Sequence, residues 1–359
     1  MTQAAVLAAI GSPGTTTGFK NKLINGNMNI DQYNNGGSIT PSVSNIFCVD
    51  RWKSSLNPGG KFSVQQNSGN APATQGFTQC LKVTSLSAYT LGATEFEAIS
   101  QYIEGNNIAD LGWGTASAKT VTLSFWVNCS LTGTFGGALL NSAQNYNYPY
   151  SYTINAANTW EYKTVTITGA TSGTWNTNSS DGIRLLFTLG CGATYSQPAG
   201  SWTTSIALSA TGATSLVATN GATWYMTGAQ FEVGTTATNF DFRSIGTELA
   251  LCQRYFAKLG TAGTLYTAFG SGMYYATNGT NLYIKYPQTM RASPTLAYGG
   301  TLLVTSGTGS NPPTAVGATY CGTDSALWQP SGMSGTAGYG AALLASGDAS
   351  AYVSFSAEL

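Results

Sequence analysis

The 359-residue chain contains no histidine. Ser/His/Asp and Cys/His nucleophilic catalysis are therefore excluded. Its six cysteines, at 48, 80, 129, 191, 252 and 321, never form a Cys-x-x-Cys pair, so zinc sites built on Cys/His spacing are excluded as well. Cysteines scattered in this way are expected as separate, mostly buried and reduced thiols, with a single Cys48–Cys80 disulfide as the alternative. Charge is equally scarce. Asp, Glu, Lys and Arg make up 8% of residues and the net charge is zero, against roughly 25% charged residues in an ordinary soluble domain. With no basic run to neutralise phosphates, duplex nucleic acid is a disfavoured partner. A neutral surface suits uncharged partners such as sugars, or a large protein assembly. No apolar run approaches the length of a membrane-spanning helix. Met1 to Ile10 carries no basic residue and gives way to Gly11-Ser-Pro-Gly14. A secretory signal is therefore not expected, and the chain is expected to remain in the cytosol where it is made. No Walker A or Rossmann glycine pattern occurs.

What is present is core-forming and β-like. Apolar residues are 42% and aromatics 12% of the chain, enough to argue against disorder. The 44 glycines, spread among Thr, Ser, Val and Tyr, read as turns between short strands. From Asn21 to Arg243 the hydrophobic period is two. Val121, Leu123, Phe125 and Val127 alternate with Thr120, Thr122, Ser124 and Trp126. Ile183, Leu185, Phe187 and Leu189, then Tyr225, Thr227, Ala229, Phe231 and Val233, form further runs. Such alternation buries one face of each strand and wets the other. The expected fold is all-β: an antiparallel jelly-roll β-sandwich over 20–243, a helical linker over 244–259 and a smaller C-terminal β-domain over 260–359. Residues 93–104 are ambiguous between strand and helix, and Asn106 to Leu111 reads as a helical turn. Residues 1–19 are loop-like and are expected as a flexible attachment arm.

Ser244 is placed to cap the linker helix. Ile245, Leu249, Cys252, Phe256 and Leu259 follow at intervals of 4, 3, 4 and 3, an a/d seam. The seam predicts either packing against symmetry mates around a three-fold axis or a helix lying on its own sandwich.

Glycan hydrolysis usually needs two facing carboxylates. The clustering of Glu95, Glu97, Glu104 and Asp110 along the chain does not supply them, so structural use of the acids and no enzymatic activity are expected. Aromatic rings can stack on the apolar face of a sugar while keeping a polar edge for its hydroxyls. Two sets are candidates: Tyr146, Tyr148 and Tyr150 in the stretch 145–152, and the distal group Tyr274, Tyr275, Tyr283 and Trp328. Buried or inter-subunit packing is the competing reading of both.

Several motifs point to a family. Lys22-Leu-Ile-Asn-Gly-Asn-Met-Asn-Ile-Asp31, Asp50-Arg-Trp52, Lys119 to Trp126, Gly228-Ala-Gln-Phe-Glu-Val-Gly234, Glu248 to Tyr255 and Tyr286 to Thr295 resemble tail fibre and other receptor-binding proteins of tailed bacteriophages. The resemblance covers most of 20–300. It implies a carbohydrate-binding-like jelly roll followed by a distal β-domain, usually in a homotrimer. It also implies a virion setting, with assembly in the host cytoplasm. In that setting the low-charge, hydroxyl-rich chain is expected to bind a host-surface glycan, with the C-terminal β-domain as the candidate receptor-binding part, and to meet other virion proteins through its N-terminal arm. A head-decoration or baseplate component and a glycan depolymerase are the alternatives. Jelly rolls of this kind often hold a structural calcium, for which Asp31, Asp50 and Glu232 are the carboxylates at hand. The competing reading pairs Asp50 with Arg51 or Arg243, or has it cap a turn. No other cofactor is expected.

Overall fold

The structure is a computed structural model that describes residues 19–260, 265–307 and 309–359. Most of the expected attachment arm, 1–18, lies outside the described residues. The chain forms two compact units. The first comprises 19–29, Gly36–Cys48 and Trp52–Arg243. The second comprises Ile30–Asn35, Val49–Arg51 and Ser244–Leu359. The two short early segments are a correction to a boundary drawn simply along the chain.

The first unit is an antiparallel jelly-roll sandwich. Its strands are β1 (Phe47–Val49), β2 (Trp52–Asn57), β3 (Phe62–Asn67), β4 (Cys80–Ser85), β5 (Phe96–Glu104), β6 (Val121–Cys129), β7 (Gly133–Asn141), β8 (Asn147–Ile154), β9 (Glu161–Ile167), β10 (Asp181–Cys191), the two-residue β11 (Ser196–Gln197) and β12 (Ser209–Ala210), and β13 (Thr223–Val233). One sheet runs β1-β2-β5-β10-β7-β8 and the other β3-β4-β13-β6-β9. The alternation explains the layering. Val121, Leu123, Phe125 and Val127 of β6 are fully buried, as are Ile183, Leu185 and Phe187 of β10. Phe125 meets Phe187 edge-on at 4.9 Å, and Trp52 and Trp224 each lie 6.0 Å from Phe187. Each ring removed from water contributes on the order of 2 kcal/mol or more. The indole N–H groups stay bonded, Trp52 to the Asn25 carbonyl at 3.0 Å and Trp224 to the Tyr152 hydroxyl at 3.2 Å. The ambiguous stretch resolves as β5, and 105–111 form two 3-10 turns. The cysteines are thiols, so the Cys48–Cys80 bridge does not form.

In the second unit, helix α1 spans Ile245–Gln253. Ser244 caps it, accepting a hydrogen bond from the Thr247 N–H. The expected helix to 259 is corrected. After Arg254 the chain becomes β14 (Phe256–Leu259), which pairs with the C-terminal strand. Tyr255, Phe256 and Ala257 are all buried, and a strand there satisfies their backbone while the rings pack, overriding the heptad spacing. The seam is therefore not continuous: Ile245 is 60% exposed, Cys252 is buried, and Phe256 and Leu259 belong to a strand.

The remaining strands are β15 (Ala268–Ala276), β16 (Gly279–Lys285), β17 (Thr295–Gly299), β18 (Leu302–Ser306), β19 (Gly309–Asn311), β20 (Ala315–Cys321), β21 (Ser325–Ser331), β22 (Gly340–Ala345) and β23 (Tyr352–Ser356). They form the sheets β14-β23-β17 and β19-β18-β22-β15-β16-β21-β20 around a core that includes Tyr274, Leu282, Ile284, Trp328, Leu343 and Phe355. The early segments pack within this unit. Tyr33 stacks on Phe256 at 3.7 Å. Arg51 pairs with Glu358, both side chains nearly inaccessible, and its guanidinium lies 3.6 Å over the Tyr255 ring. Asp50 accepts hydrogen bonds from the Gln32 backbone and side chain. The Asp50-Arg-Trp52 motif is thus split in purpose: two polar residues serve the second unit and the indole serves the sandwich. Among the described residues, no helix is long and apolar enough to cross a membrane.

Candidate functional site

The outer face of the five-stranded sheet carries a groove of about 540 Å³. Its floor follows from strand phase. With Phe125 and Val127 of β6 turned inward, Ser124 and Trp126 must face out. Antiparallel register sets Trp126 beside Thr227 of β13 and Tyr162 of β9. The Trp126 and Tyr162 rings lie 5.3 Å apart at 44°, and Tyr162 is 42% exposed.

Three phenylalanines form a wall. Phe77, Phe240 and Phe242 contact one another at 4.9–5.2 Å between centroids. Their placement depends on two local devices. The first is a bulge in β13, where the register with β6 shifts between Thr227 and Gln230. Gly228 sits there with φ 62, and a Cβ on it would lie 2.6 Å from the Phe77 ring. Only glycine allows that conformation and that approach together. The second is a polar clamp on the loop after β13. Buried Glu232 accepts from the Thr238 N–H at 2.8 Å, the Thr238 hydroxyl at 2.7 Å and the Gln230 amide at 2.8 Å. The Gln230 carbonyl oxygen accepts from the Asp241 N–H at 2.8 Å. These bonds satisfy buried polar groups and hold the chain that presents Thr238, Asn239, Phe240 and Phe242 to the groove. The Gly228 to Gly234 motif thereby shapes the site.

Among the described residues, the lining comprises aromatic rings, Gln75, Ser124, Thr238, Asn239 and small residues, with no Asp, Glu, Lys or Arg. Such a groove can stack a flat apolar face and exchange hydrogen bonds with hydroxyls. It has no carboxylate pair to cleave a glycosidic bond.

The residues expected at a ligand site lie elsewhere. Of the first set, Tyr146 lies in the connection between β7 and β8. Tyr148 and Tyr150 belong to β8 and are buried, and the Tyr150 hydroxyl donates to the Leu186 carbonyl at 2.8 Å. Half-buried Tyr146 stacks on Trp202 at 5.3 Å. Asn147 anchors this region, its amide donating to the Ser205 carbonyl at 2.8 Å. Tyr274 and Trp328 are fully buried in the second unit, while Tyr275 and Tyr283 are 52% and 63% exposed. The distal four therefore do not converge, and the fully buried members have no face for a ligand. Glu232, offered for calcium, is committed to the loop clamp, and the described residues contain no cluster of three or more potential metal-binding acids or cysteines.

The groove residues themselves were missed. Their signal is a Trp in the wetted phase of a strand otherwise bearing Thr and Ser, with Tyr162 in the same phase of β9. The loop phenylalanines give no comparable signal.

No protein-family model matches the chain, and no curated protein matches it. Solved structures do show likeness. An enzymatically active domain of tailspike protein 4 of bacteriophage CBA120 aligns at 11% identity over 60% of this chain and 21% of that one, with a TM-score of 0.34. A family 4 carbohydrate-binding module aligns at 15% identity over 58% of this chain and 98% of its own, with a TM-score of 0.30. The family 11 carbohydrate-binding module of the Clostridium thermocellum cellulase Lic26A-Cel5E aligns at 10% over 56% and 97%, with a TM-score of 0.28. The chain thus spans about a fifth of the tailspike chain. Likeness at these identities and scores says nothing of ligand or activity.

Proposed function

We propose that this protein binds a neutral glycan in the sandwich groove and performs no chemistry on it. The observation that carries the reading is the composition of that groove: Trp126 and Tyr162 on the floor, a phenylalanine wall, amide and hydroxyl groups at hand, and no charged lining residue. A pyranose offers the matching surfaces, an apolar ring face and a rim of hydroxyls. Carbohydrate-binding modules stand among the solved structures with likeness to this chain.

In the fuller proposal the chain is a phage virion fibre protein that attaches the particle to a host-surface glycan, working as a homotrimer and meeting other virion proteins through its N-terminal arm. The sequence motifs shared with phage receptor-binding proteins support this setting. Three linked grooves would multiply a weak single-site affinity.

The test combines binding, mass and product analysis. Host polysaccharide and neutral oligosaccharides are expected to perturb tryptophan fluorescence without release of reducing ends, and light scattering is expected to give three times the chain mass of 37.3 kDa. Reducing ends that disappear when a carboxylate is replaced would overturn the non-enzymatic reading. A mass of one chain at micromolar concentration would overturn the trimer.

A further inference from the structure

A second cleft lies on the outer face of the other sheet, and its chemistry differs. Strand phase turns Ala98, Ser100 and Tyr102 of β5, Arg184 and Leu186 of β10 and Ala138 and Leu140 of β7 to that face. A face with this much apolar surface is unusual for the wet side of an antiparallel sheet. Leu208 and Tyr195 cover part of it. What stays open is a cleft of about 230 Å³. Leu186 and Leu140 lie beneath it, Phe96 and Tyr195 meet edge-on at 5.8 Å beside it, and Asn45 and Gln144 supply amides.

Among the described residues, the one charged residue lining this cleft is Arg184. Its guanidinium lies 4.7 Å over the Tyr102 ring, and its Nε donates to Asp181 at 2.7 Å. Asp181 also accepts from the Ser142 hydroxyl at 2.7 Å and is not part of the lining. The cation is therefore held in place by a carboxylate outside the cleft, and no acid faces a ligand inside it. A fixed guanidinium suits a carboxylate far better than a neutral group.

We propose that this cleft is a second binding site, specific for a carboxylate-bearing pyranose. The sugar ring rests on the Phe96–Tyr195 side, its hydroxyls meet Asn45 and Gln144, and its carboxylate meets Arg184. The site is independent of the neutral-glycan groove, and failure of either leaves the other standing.

The probes are methyl glucuronoside and methyl glucoside, which differ at the carboxylate, titrated into the full chain and followed by NMR. Wild type is expected to prefer the glucuronoside by about tenfold, as for a charge-assisted contact, with the preference shrinking in salt. Arg184→Gln is expected to abolish the preference. Tyr195→Ala, which keeps the Arg184–Asp181 pair, is expected to weaken glucuronoside binding and serves if the arginine variant does not fold. Trp126→Ala is expected to leave glucuronoside binding intact, because that ring lies in the other groove. Equal binding of both glycosides at this cleft in wild type overturns the proposal. So does a preference that survives Arg184→Gln, or glucuronoside binding that vanishes in Trp126→Ala, which would move the acidic sugar to the first groove.

Discussion

Glu97 gives the sandwich a stability that should fall as pH rises. It lies in β5 opposite Leu56 and Gly190, in phase with inward-facing Ile99, and is fully buried. Among the described residues, neither carboxylate oxygen has a hydrogen-bond partner. Burial, the largest effect, lifts its pKa from 4.5 to about 8; Lys61 opposes the rise and Glu95 adds to it. Below pH 4.5 folded and unfolded states are both protonated, so the group contributes no pH dependence. Between 4.5 and 8 the folded state keeps a proton that the unfolded state has released, and stability declines by at most about 1.4 kcal/mol per pH unit. Above 8 the loss is complete, at roughly 3–5 kcal/mol. Glu97→Gln removes the titration while keeping the shape. The variant is expected to match wild type within about 1 kcal/mol at pH 5 and to exceed it by about 3 kcal/mol at pH 9. Urea unfolding followed by tryptophan fluorescence reads this directly, because seven of the eight tryptophans lie in the first unit. Parallel stability profiles for the two proteins from pH 5 to 9 would refute the reasoning.

Three further outcomes follow from single contacts. Gly228→Ala should cost about 1–3 kcal/mol, by strain at a positive φ and collision with Phe77, and should also weaken saccharide binding; thermal unfolding and titration together check it. Glu358→Ala strips the buried Arg51 of its carboxylate and should destabilise the second unit by about 3 kcal/mol or more in urea, with the Trp52-centred sandwich core retaining its own transition. Ser244→Ala removes the cap of α1 and should cost about 1 kcal/mol, measurable as a lower urea midpoint for the second unit.

The sandwich was legible because its strands obey period two: each inward run of β6 and β10 is an unbroken alternation of large apolar residues. The end of α1 was not, because Phe256 and Leu259 continue the heptad spacing, and only their pairing with β23 makes them strand. The burial of several candidate aromatics was not legible for a related reason. Tyr148, Tyr150, Tyr274 and Trp328 are amphipathic enough for a surface or a core, and composition does not tell which side of a strand is covered by a neighbouring segment. Trp126 is legible by phase, as the bulky ring in the outward-facing set of β6. Phe77, Phe240 and Phe242 depend on a bulge at Gly228 and a clamp by Gln230 and Glu232, contacts between residues up to about 150 positions apart or within an irregular loop, which no local pattern encodes.

The central claim is that the outer face of the five-stranded sheet holds a neutral saccharide against Trp126. Calorimetric titration of a neutral host oligosaccharide into wild type and Trp126→Ala tests it most directly. A loss of tenfold or more in affinity is expected, consistent with removing a stacking ring worth upwards of about 1.4 kcal/mol, with the unfolding midpoint unchanged. Equal affinity of the two proteins for a saccharide that the wild type binds would contradict it.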